Sequence, residues 1–197
     1  MPRKARVATE GGWYHVFNRS NGRKTLYHSE YLHSYFISLL EQISEKYEIQ
    51  LHGYCVMKNH YHILIHTPKN TLSDAMWYLG KNFAREANKH MNADGPVFKS
   101  RFHSLVVETE KNLLNLSRYI HLNPVSARIS TTPEEYTWSS YNNYLDPENA
   151  PLFLHTSKIL DYFISKDEYK QYVELGVDAN TKAFFGRKRI PGTFKID

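Results

Sequence analysis

The stretch "IQLHGYCVMKNHYHILIHT", residues 49–67, limits the fold more than any other part of the chain. Two runs rich in aliphatic, aromatic and β-branched residues, 49–57 and 60–67, are separated only by Lys58 and Asn59. A two-residue connection joins antiparallel neighbours and cannot serve a crossover, so the runs form a hairpin. Side chains alternate along a strand, which places His60 and His62 on one face and Tyr61 on the other. The two histidine Cα atoms then stand about 6.5 Å apart, close enough for both imidazoles to reach one metal ion. Two hydrogen-bonded surface histidines would show the same spacing. The pair alone does not decide.

The elements around the hairpin follow from pattern. "WYHVFN" (13–18) is a strand, and "RSNGRK" (19–24) supplies turn residues with three cations. From Ser29, a candidate N-cap, Leu32, Tyr35, Phe36, Leu39, Leu40 and Ile43 recur at helical spacing. Thr71 and Asp74 make a capping box for a second helix, with a stripe of Leu72, Ala75, Met76, Leu79, Phe83 and Ala87. "SLVVET" (104–109) is a fourth strand, and residues 110–123 form a helix closed by Pro124. Trp138 and Tyr141 suit core packing beneath that helix, with stacking on unpaired bases as the other use. "DPENAP" (146–151) is a linker, and Ser165 to Glu168 cap a last helix that stops at Gly176. "MPRKAR" at the start reads as a mobile arm, and the stretch with "GRKRIPG" as a loosely ordered tail.

The order β-α-β-β-α-β predicts an α+β chain: a ferredoxin-like antiparallel sheet, a further helix after the fourth strand, and extra C-terminal helices. The expected division is a domain over 1–145 and a C-terminal helical extension with a basic tail over 146–197. No apolar run approaches the roughly 20 residues that span a bilayer, and no apolar signal core follows the N-terminus. The single cysteine, Cys55, excludes an intrachain disulfide and fits a reducing compartment. Its mid-strand position suits a small buried hydrophobe. A net charge of +5 with 11 histidines favours a polyanionic partner.

On a helical wheel of residues 110–123, Leu113, Leu116 and Ile120 make the core face. Asn112, Asn115, Tyr119 and Asn123 form a second stripe. Tyr119 therefore stands in a row of amides, either as a boundary tyrosine or as a functional phenol.

Taken together, "WYHVFNRSNGRK", "YCVMKNHYHILIHTPKNTLSDAM", "GPVFKSRFHS", "RYIHLNPVSA" and "YTWSSY" resemble the HUH single-tyrosine transposases. The nearer resemblance is to the REP-associated tyrosine transposases, over residues 12–144 and only loosely beyond. It implies that His60 and His62 bind a divalent metal and that Tyr119 is the nucleophile of a catalytic helix. Asn123, one turn on, matches a polar third ligand, or else caps the helix end. The implied activity is single-strand DNA cleavage and strand transfer on palindromic hairpins, through a 5′-phosphotyrosine with a free 3′-hydroxyl, in transposition or REP-element processing. The implied protein is cytoplasmic and nucleoid-associated, without a membrane, and a monomer or homodimer.

The chemistry suits those residues. A tyrosine with a pKa near 10 needs help to attack phosphorus at neutral pH, and a divalent cation on the phosphate supplies it. Imidazoles with an amide favour Mn²⁺, although abundant Mg²⁺ can serve, and the four closed ligands of a structural zinc are missing. Three basic groups are candidate DNA contacts: Arg19, Arg23 and Lys24 after the first strand; Lys81, Arg85 and Lys89 on one helix face; Lys99 and Arg101, with His103, before the fourth strand. His121 faces away from Tyr119 and is left out. His15, His28, His33, His52, His66, His90 and His155 are read as structural. Two rival functions remain: a nucleic-acid-binding module without catalysis, and a hydrolase that attacks with water.

Overall fold

The structure is a computed structural model that describes residues 9–176 and Phe185. The basic arm over residues 1–6 and the tail over 186–192 lie outside the described residues. Strands β1 (Gly12–Arg19), β2 (Gln50–Met57), β3 (His60–Thr67) and β4 (His103–Val106) form one antiparallel sheet, ordered β2-β3-β1-β4. Helices α1 (Glu30–Tyr47) and α2 (Leu72–His90) make the two crossovers, so the chain is α+β with the expected β-α-β-β-α-β order.

Each face of the sheet has its own core. Tyr14, Val16, Val56, Tyr61, Ile63 and Ile65 meet the apolar stripes of α1 and α2. Cys55, Met57 and Leu64 on the opposite face meet Leu113, Leu116 and Ile120. This two-sided burial sets the register of β3. A slip of one residue would turn His60 and His62 into the α1–α2 core and move Tyr61 and Ile63 out of it. Each apolar side chain so displaced gives up part of the roughly 1.5–3 kcal/mol that full burial contributes. The histidines thus keep the face that later receives α3.

Ser29 accepts from Leu32 N and caps α1 as expected. Thr71 does not cap α2: its backbone is helical and its hydroxyl donates to the Tyr47 carbonyl, 2.8 Å away, so the capping box is absent. The fourth strand is shorter than 104–109, because only 103–106 pair with β1.

The helix after β4 also differs. α3 (Glu110–His121) ends before Asn123, and a second short helix, α4 (Asn123–Ser126), begins there with Pro124 in its first turn. Proline is tolerated where its missing N–H would have no partner, so it starts a helix rather than closing one. Beyond α5 (Tyr141–Leu145) and α6 (Ser157–Leu160), Ser165 caps α7 (Lys166–Glu174). Tyr169 of α7 bonds Ser117 at 2.6 Å and His121 Nδ1 at 2.7 Å, bracing α3 from behind.

Candidate active site

α3 packs across β2 and β3, and this brings Tyr119 over the histidine pair. The rings of His60 and His62 lie 5.1 Å apart at 86°, both on the α3 side of the sheet. The Tyr119 ring meets His62 edge-on at 5.4 Å. Arg19 is the register partner of His60, and its charge helps to disfavour protonation of that ring.

Hydrogen bonding decides which ring nitrogens are free. The Asn59 amide donates from Nδ2 to the Arg23 carbonyl at 3.2 Å, which turns its oxygen toward His60. His60 Nδ1 stands 2.7 Å from that oxygen, which can only accept, so Nδ1 carries the proton. Burial, reinforced by Arg19, keeps the His60 pKa below its usual value although a bond to Asn123 would favour the charged form. The ring is therefore neutral, and Nε2 presents a lone pair.

That lone pair faces another. Asn123 Oδ1 lies 3.4 Å from His60 Nε2. Two acceptors at this distance repel unless a cation lies between them. A divalent cation held by both would remove that repulsion. His62 is also held neutral, first by burial and then by its neighbours His15 and His60. Its Nδ1 lies 2.8 Å from His15 Nε2, while its Nε2 has no hydrogen-bond partner among the described residues. Two neutral imidazoles and an amide oxygen fit a divalent cation with open positions. Among the described residues, no group of three or more His, Cys, Asp or Glu forms a closed metal cage.

Tyr119 is half-buried, and burial raises its pKa, opposed by a hydrogen bond from Asn123 that favours the phenolate. The one amide thus touches both the phenol and His60.

Comparison with known proteins gives the family and the fold. The family model described as "Transposase IS200 like" matches residues 8–123, more than half of the chain. The chain belongs to this family. A Haemophilus influenzae protein, provisionally named a REP-associated tyrosine transposase, is 25% identical over 162 residues, covering 77% of this chain and 92% of that one. A solved REP-associated tyrosine transposase bound to a REP hairpin superimposes with a TM-score of 0.63 at 18% identity, covering 79% of this chain and 92% of that one. At that identity the likeness shows the fold.

The transposase places its basic residues unevenly. Arg19, Arg23, Lys24 and Lys99 gather at the His60 end of the sheet, because Lys99 N bonds Arg19 O at 3.0 Å and Arg23 adjoins Asn59. Lys81 and Arg101 line a cavity of about 620 Å³ beside the exposed Trp77. Arg85 and Lys89 are exposed further along α2, which covers the opposite face of the sheet, and are not brought to the histidines.

Three further residues join the site. His15, read from sequence as structural, bonds His62 directly. Alternation along β1 groups Trp13, His15, Phe17 and Arg19 on one face, but only the pairing of β1 with β3 reveals which histidine they meet. Asn59 orients His60, and Phe185 packs 5.6 Å from both Tyr119 and His15. His121 is a core residue bonded to Tyr169 and to Ser140 Oγ at 2.8 Å. Cys55 is fully buried, and burial pushes its thiol pKa up. Trp138 stacks on His33 at 4.6 Å and Tyr141 is buried, so both serve packing.

Proposed function

We propose that this transposase cuts and rejoins single-stranded or hairpin DNA through a covalent link to Tyr119. The observation that carries this reading is the convergence of Tyr119, Asn123, His60 and His62 across the sheet–helix boundary. The Tyr119 oxygen bonds to phosphorus, and the bond from phosphorus to the 3′ oxygen breaks. The phenol proton passes to solvent, and the departing oxygen takes up a proton to become a 3′-hydroxyl. The DNA 5′ end is then held as a phosphotyrosine, whose energy allows rejoining by the reverse step.

His60, His62 and Asn123 would hold a divalent ion, Mn²⁺ or Mg²⁺. When bound, it polarises the scissile phosphate and offsets the charge that develops there. Asn123 also positions the phenol and favours its deprotonated form. Arg19, Arg23, Lys24 and Lys99 contact phosphates at the His60 end of the sheet; Lys81 and Arg101 at the cavity, then Arg85 and Lys89, extend that contact along α2. Residues 1–145 carry the chemistry, and Tyr169, in the extension over 146–197, braces α3. The protein acts in the cytoplasm, at the nucleoid; among the described residues no helix is long and apolar enough to cross a membrane.

The test mixes protein, Mn²⁺ or Mg²⁺, and 5′- or 3′-labelled hairpins taken from around its own gene. A denaturation-resistant adduct carrying the DNA 5′ end, with a free 3′-hydroxyl on the other product, is expected. Cleavage without adduct would assign the attack to water. Binding without cleavage under either metal would leave a recognition module.

A further inference from the structure

His15 stands outside the metal donors, yet it is the only described residue hydrogen-bonded to His62 Nδ1. It lies on the central strand β1, its register partner is Leu64, and its ring reaches diagonally to His62. Both rings are buried, His15 completely. The contact is short, 2.8 Å between Nε2 of His15 and Nδ1 of His62. The rings are stacked 5.0 Å apart at 23°, and Phe17 at 4.8 Å and Phe185 at 5.6 Å confine His15 further.

A neutral imidazole has one N–H and one lone pair. If the bond to His15 is accepted by His62, the proton of His62 sits on Nε2 and blocks the donor atom. If His62 donates from Nδ1, Nε2 is bare. The neighbouring ligand has its answer built in, because Asn59 Oδ1 can only accept and so holds the His60 proton on Nδ1. His62 has no such carbonyl. In its place stands His15, whose other nitrogen, Nδ1, is buried without a partner.

We infer that His15 is a positioning residue: its Nε2 accepts from Nδ1–H of His62 and so aims Nε2 of His62 at the divalent cation. The assignment rests on the metal reading above and extends it by one residue. It accounts for a polar ring in the middle of a packed sheet face. It also requires His15 to keep its own proton on Nδ1, the nitrogen that lacks a partner. An N–H buried in this way gives up its hydrogen bond to water. Holding a ligand's tautomer and ring angle through its second nitrogen typically changes metal affinity by about 10–100-fold.

Two measurements test this on the full chain. The first is Mn²⁺ binding to the DNA-free protein, followed by electron paramagnetic resonance. His15→Phe keeps a ring but removes the acceptor, and should weaken Mn²⁺ binding about 10–100-fold. His15→Gln offers a carbonyl oxygen and should restore most of it. His62→Ala is the control: equal Mn²⁺ binding by it and wild type overturns the metal reading, and this inference with it. Loss of binding in His62→Ala but wild-type binding in His15→Phe overturns the inference alone. The second measurement needs no variant that must fold. In ¹⁵N-histidine spectra of the wild-type chain loaded with diamagnetic Mg²⁺, His62 should be the Nδ1–H tautomer with a correlation to His15. An Nε2–H tautomer of His62 would overturn the inference.

Discussion

Asn123 Oδ1 stands 3.4 Å from His60 Nε2, so a helix that follows β4 reaches the strand that begins the other half of the sheet. The contact joins residues 63 positions apart in sequence. It bears on the two roles open for Asn123. A residue that only ended a helix would aim its amide at backbone, whereas this oxygen faces a ring nitrogen with a free lone pair.

Asn123→Ala should therefore weaken Mn²⁺ binding by about 10- to 100-fold, while Asn123→Asp, which keeps an oxygen donor, should retain it. Titration calorimetry on the folded variants is the check. A helix-end role would instead cost about 1 kcal/mol of stability and leave metal affinity alone.

His60→Ala and His62→Ala should each abolish cleavage and keep hairpin binding, because phosphate contacts carry most of the affinity. Gel shifts beside a cleavage assay test this. Full cleavage by either variant in excess Mn²⁺ would remove that histidine from the site.

Tyr119→Phe keeps the ring that meets His62 edge-on and removes one oxygen. Stability should change by no more than about 1 kcal/mol. Cleavage and rejoining should fall together by roughly 10³-fold or more, since both pass through the same linkage. A wild-type cutting rate would make another group the nucleophile.

Replacing Arg19, Arg23 and Lys24 with Gln should flatten the log–log salt dependence of single-strand binding by about 0.7 for each phosphate that is no longer neutralised. Replacing Arg85 and Lys89 should flatten it less per charge removed, because α2 carries them away from the histidines. Equal changes per charge removed would show that distance from the site does not govern phosphate binding.

Acid stability offers a test independent of DNA. Burial holds His15, His52 and His121 at about 3 in the folded chain, against 6.5 when unperturbed. Between those values the unfolded chain binds protons that the folded chain refuses. Their contribution to stability is complete above about pH 6.5 and is lost as pH falls toward about 3. The slope is up to about 1.4 kcal/mol per pH unit for each. Urea unfolding at a series of pH values from neutral down to about 4 measures it. A flat profile would mean that these rings are charged in the folded state.

The sequence alone determined several features that depend on local period. Alternation in 60–67 placed His60 and His62 on one face, two residues at 58–59 made the hairpin, and helical spacing separated Tyr119 from the leucines of α3. These are properties of neighbours in the chain, and a window of a dozen residues contains them. The tertiary structure decided what depends on pairing between distant segments. The register of β1 against β3 brought His15 to His62, and the turn clamped by Arg23 aimed Asn59 at His60. Packing of α7 on α3 made Ser117 and His121 interior residues, although their chemistry reads as surface. The break before Pro124 likewise depended on where the chain turned after His121, while Asn123 kept its place beside Tyr119. Which polar groups meet across a sheet is set by hydrophobic burial summed over both faces, and no single stretch of sequence contains that sum.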